Sequence, residues 1–125
     1  NVHEQWELDA SMMPTGQLGP TDLVRRLQAG SRFAPGQIDC CFTSDQPPSA
    51  VVHWPEFTLT MSSSEPVGHL MVYTPKDAVC VEPQTCTVNA FQLASQGAHC
   101  TGTITVSPDA PLVAETRWSW EQYHQ

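Results

Sequence analysis

The chain has 125 residues, close to the usual size of one domain and enough to bury roughly two thirds of its unfolded surface. Thirteen acidic side chains face five basic ones, and the net charge of −8 excludes a general electrostatic footing for nucleic acid or an anionic membrane. No apolar run approaches the ~20 residues of a membrane-spanning helix. The N-terminus lacks a basic-then-apolar leader pattern, and Asn1 in place of a methionine is expected of a processed, trimmed or partial polypeptide.

In chain order, residues 6–10 (WELDA) read as a short strand. Residues 12–23 (MMPTGQLGPTDL) read as loop, being dense in Pro, Gly and Thr. Thr21 or Asp22 is placed to cap a short helix through LVRRLQAG, with Gly30 as its stop. From residue 50 the apolar period is two, and AVVHWPEFTLTMS puts Phe57, Leu59 and Met61 on one face. VGHLMVYT and AVCVEPQT read as antiparallel strands joined tightly through Pro75-Lys76-Asp77. TGTITVS and PLVAETRWSWEQY read as two more, with Trp118 and Trp120 sharing a face. About six strands and one short helix predict a mostly β fold, an antiparallel β-sandwich.

Cys40, Cys41, Cys80, Cys86 and Cys100 are odd in number, and the adjacent Cys40-Cys41 pair is poorly placed to bridge with itself. No CxxC or HxxxH spacing suggests zinc. The expectation is a reduced, cytoplasmic protein that uses cysteine as a small buried hydrophobe.

The run VCVEPQT delivers a carboxylate to a strand end and follows it with proline. Pro83 removes a ladder N–H and pushes Glu82 into the extended region, which suits a strand end or edge. By alternation Cys80, Glu82 and Gln84 share one face, while Val79 and Val81 take the other. A glutamate held this way by its backbone is a candidate general base, although a solvated strand-end glutamate is the commoner case.

VCVEPQTCTVNAF resembles the C-terminal signature of the aldose 1-epimerase (galactose mutarotase) family, in which a strand delivers a catalytic glutamate ahead of a Pro-Gln-Thr-like turn. MMPTGQL resembles that family's Pro-Thr-Gly loop, GQIDCCFT its Gly-x-Asp-x-x-Phe segment, and PLVAETRWSW its closing strand. The resemblance spans nearly the whole chain but only about the C-terminal half of the family's domain. It implies part of a galactose mutarotase-like supersandwich, completed by an upstream segment or a second chain. It also implies interconversion of α and β anomers of a free sugar without metal or cofactor.

Residue by residue, Glu82 falls on the general base and Asp39 on the aspartate that grips sugar hydroxyls. Cys40-Cys41 stand where the family has other residues. Gln84 falls where it would contact the sugar, and Asn89 replaces the family's usual aspartate after the turn. The family's two histidines lie upstream of the matched region.

A hairpin loop at residues 74–77 would pair His69 with Glu82, giving either an acid–base pair or an ordinary cross-strand contact. Trp54, Trp118 and Trp120 suit sugar stacking, though packing is their commoner role. A carbohydrate-binding module without turnover is one alternative. A hexose-6-phosphate epimerase-like enzyme is another, with Arg25, Arg26 and Arg32 as its phosphate cluster.

Overall fold

Strand alternation sorts the apolar side chains onto the facing surfaces of two antiparallel sheets. The computed structural model describes residues 1–123. Its strands are β1 (Glu4–Leu8), β2 (Pro14–Gly19), β3 (Asp39–Thr43), β4 (Ser49–His53), β5 (Phe57–Ser63), β6 (His69–Tyr73), β7 (Cys80–Gln84) and β8 (Thr116–Gln122). Helix α1 (Asp22–Gln28) follows β2, and α2 (Ala90–Ser95) follows β7. The larger sheet has the order β2-β1-β3-β6-β7, and the smaller has β4-β5-β8. The fold is the expected mostly β sandwich.

Between the sheets lie Val2, Ile38, Phe42, Leu70 and Val72 with Met61 of the smaller sheet, and α1 adds Val24. Phe42 is fully buried. Helix α1 begins as expected: the Thr21 hydroxyl accepts the Val24 N–H at 3.2 Å, and Gly30 follows the last turn in a left-handed conformation. A second cluster forms on the outer face of the larger sheet, where Leu93 of α2 packs with Trp6 and Cys41.

Several segments differ from the sequence reading. The first strand lies at Glu4–Leu8 rather than residues 6–10. The loop expected in MMPTGQL contains β2, an edge strand in which Pro14 occupies the first position, where its missing donor is tolerated. A second helix, α2, joins the expected one. TGTITVS forms no strand: Thr101 is held by the Thr87 N–H at 3.0 Å, between Cys100 and Gly102, both with positive φ.

The β6–β7 connection is longer than a tight turn, because Thr74 is tied to Ile38. The Thr74 N–H donates to the Ile38 carbonyl at 2.9 Å, and the Ile38 N–H donates to the Thr74 hydroxyl at 3.0 Å. The pairs are therefore Tyr73 with Cys80, Met71 with Glu82 and His69 with Gln84, so the expected His69–Glu82 pair does not form.

Candidate functional site

Glu82 and Gln84 reach the outer face of the larger sheet through alternation along β7. Proline at 83 is accommodated because β7 is an edge strand. The strand does not end at Glu82 as expected but runs through Pro83 to Gln84. Glu82 is exposed, and its side chain accepts from Gln84 Nε2 at 3.4 Å. Its chain neighbours Val81 and Pro83 are half-buried, so Glu82 stands in solvent on a partly covered strand.

Register carries Asp39 onto the same face. Asp39 pairs with Tyr73 and Tyr73 with Cys80, while Cys41 pairs with Met71 and Met71 with Glu82. Directly paired residues share a face, so Asp39, Tyr73, Met71, Glu82 and Gln84 line one surface. Two strand spacings and two residue rises put the Asp39 and Glu82 Cα atoms about 12 Å apart. Tyr73, which sequence reading did not single out, stands between them and is 41 % exposed. Its signal was available, as an aromatic two and four positions from Met71 and His69 on the same strand face.

The other end of this face is roofed. Leu93 and Ala98 cover Trp6, Cys41 and Met71, and the segment after α2 crosses the sheet end. There His69 is 3 % exposed and stacks on Trp6, with ring centroids 6.3 Å apart. His69 Nε2 lies 3.1 Å from the Cys100 carbonyl oxygen. Since the carbonyl only accepts, Nε2 carries the proton, and Nδ1 is buried without a partner. Burial lowers the imidazole pKa, partly offset by the neighbouring Cys100 and Thr85 backbone. This histidine is held neutral and occupied, with no hydrogen bond to Glu82. Burial also raises the Cys40 and Cys41 thiols, which leaves them protonated and unreactive.

The roof was the part sequence reading missed. Its signal was Asn89 before an apolar Ala90/Leu93 spacing, with Gly97 beyond the last turn.

Other residues singled out by sequence lie elsewhere. Trp54 stacks on Phe57 at 4.6 Å. Trp118 and Trp120 share a face as expected, but at 46 % and 74 % exposure they are not packed within the sandwich. Arg25 pairs with Asp22 at 3.3 Å, and the Arg26 guanidinium sits 4.6 Å over the Phe33 ring. Both arginines belong to α1, which packs on the inner side of the larger sheet with Leu70 and Val72, so they do not converge on Glu82. Among the described residues, a hollow of about 450 Å³ lies beside β1 and β2, lined by Gln5, Glu7, Gln17 and Leu18, and it excludes Glu82. Asp39, Tyr73 and Glu82 are all exposed on the outer face of the larger sheet.

Compared with protein-family models and with curated proteins, the chain gives no significant match.

Proposed function

We propose that the open half of this face is a sugar platform and that Glu82 is the proton-transfer carboxylate of an aldose 1-epimerase-like reaction. What carries the reading is the placement of Glu82, Gln84 and Asp39 on one accessible sheet face, in two segments that each resemble that family's. Glu82 takes the proton of the anomeric hydroxyl while a general acid protonates the ring oxygen. The C1–O5 bond breaks, rotation about C1–C2 presents the other carbonyl face, and closure returns both protons. Asp39 and Gln84 accept and donate hydrogen bonds to ring hydroxyls and hold the sugar for the transfer. This chemistry calls for no metal or cofactor.

No imidazole meets Glu82 among the described residues. The acid is therefore assigned to an upstream segment or a second chain, as the resemblance implies. The same observation favours a second reading, a carbohydrate-binding module that holds a sugar without turning it over. The proposed setting is cytoplasmic, in keeping with five free cysteines. No helix is long and apolar enough to cross a membrane among the described residues.

The test is polarimetry of freshly dissolved α-glucose and α-galactose, with sugar binding followed by amide NMR shifts. An epimerase accelerates mutarotation, and Glu82→Gln lowers that rate by about 10²–10⁴ while leaving the fold intact. Binding without acceleration selects the module. Neither binding nor acceleration would sink both readings.

A further inference from the structure

The smaller sheet ends on a strand that is bonded on one side only. β8 (TRWSWEQ) pairs with β5, all seven of its residues are exposed, and no strand lies beyond it among the described residues. The phase of its hydrogen bonds is readable at both ends. The Tyr123 N–H donates to the Glu56 carbonyl at 2.9 Å, and the Ser64 N–H donates to the Glu115 carbonyl at 2.9 Å, both continuing the β5–β8 register. Odd-numbered residues of β8 therefore turn their backbone groups toward β5. Thr116, Trp118, Trp120 and Gln122 turn theirs outward to the open edge.

We propose that this edge pairs antiparallel with β8 of a second copy of the chain, about a two-fold axis at Ser119. Two three-stranded sheets then join into one continuous sheet. Full overlap of the seven-residue strand with itself allows one register. It sets Thr116 opposite Gln122, Arg117 opposite Glu121 and Trp118 opposite Trp120. In that register every outward-facing residue meets an outward-facing residue, whereas a one-residue shift would set bonded groups against unbonded ones.

The side chains agree with the backbone. Arg117 and Glu121 fall on the closer, non-hydrogen-bonded pairs, and the symmetry makes two Arg–Glu contacts across the interface. Each copy carries a net charge of −8, so association elsewhere on the surface is opposed by repulsion, while this strand brings its own compensation. Trp118 and Trp120 occupy the face that carries Met61 into the core, in register with Met61 and Leu59, yet they extend past what the larger sheet covers. Pairing stacks them against the partner's two indoles and removes a large apolar area from water. This inference does not depend on the sugar site, which lies on the other sheet.

The test is sedimentation equilibrium of the full chain across about 1 to 100 µM, where a reversible dimer shows mass action. Arg117→Glu turns two attractive pairs into two repulsive ones and is expected to weaken the dimer about tenfold. The swap Arg117→Glu/Glu121→Arg is expected to restore it to within about threefold. Trp120→Pro removes an edge-facing N–H but no bond to β5, and is expected to leave a folded monomer by circular dichroism. Should that variant unfold, the charge series decides alone. A monomer throughout the range, a dimer indifferent to Arg117→Glu, or a swap that fails to restore association would each overturn the proposal. So would a foreign segment bound to this edge in place of a second copy.

Discussion

At Gly102 the segment after α2 lies tightly against Thr85, Cys86 and His69. The φ of Gly102 is +75°, and a Cβ there would collide with the Thr85 carbonyl oxygen and lie 2.8 Å from both the Cys86 Cα and the His69 Cε1. Two of the three atoms belong to backbone and cannot rotate away. A left-handed conformation costs a residue with a Cβ about 1–2 kcal/mol. Forcing a carbon into packed surroundings costs about 1–3 kcal/mol more. Gly102→Ala is thus expected to lose about 2–5 kcal/mol, a large share of the ~5–15 kcal/mol that holds a domain together. At ~3–4 °C per kcal/mol for a chain of this size, Tm falls by about 6–20 °C.

Gly30→Ala is the matched control, since Gly30 also has positive φ (+66°) but no atom within 4 Å of the added carbon. It should lose only the backbone share, about 1–2 kcal/mol. Urea unfolding followed by tryptophan fluorescence measures both. If the two variants differ by less than about 0.5 kcal/mol, the close approach at Gly102 is not what the structure says.

Acid should weaken the fold through His69. Burial holds its imidazole below the ordinary value of 6.5, so the unfolded chain takes up a proton that the folded chain refuses. The contribution is complete above that ordinary value and declines as pH falls below it. Urea midpoints measured from about pH 8 to about pH 5 should drop below pH ~6.5, and less steeply in His69→Gln. Identical slopes in the two proteins would show that another group is responsible. At the helix start, the Thr21 hydroxyl accepts from Val24 and donates to Gln5 Oε1 at 2.8 Å, so Thr21→Ala should cost about 1–2 kcal/mol in the same assay. A loss below about 0.3 kcal/mol would mean that the cap is redundant.

The mostly β class, the α1 cap at Thr21 and the common face of Glu82 and Gln84 were legible in the sequence, because each depends on geometry within a few residues. Alternation along a strand places Glu82 and Gln84 together whatever the strand pairs with. It even survives the error in the β6–β7 register, since a shift of two residues keeps every side chain on its face. The register itself was not legible. It depends on Thr74 reaching Ile38, thirty-six positions away, which lengthens the loop and sets Met71 rather than His69 against Glu82.

Pairing likewise decided β2 and TGTITVS. The first is a Pro/Gly-rich stretch that becomes a strand because β1 is beside it, and the second a β-rich stretch that stays irregular because no strand is. Exposure followed the same rule: α2 and the segment after it bury His69 and leave Glu82 open, while the smaller sheet carries Trp118 and Trp120 past its cover. Local periodicity determines which residues share a face, but whether that face meets water, a helix or another sheet is settled by contacts distant in the chain.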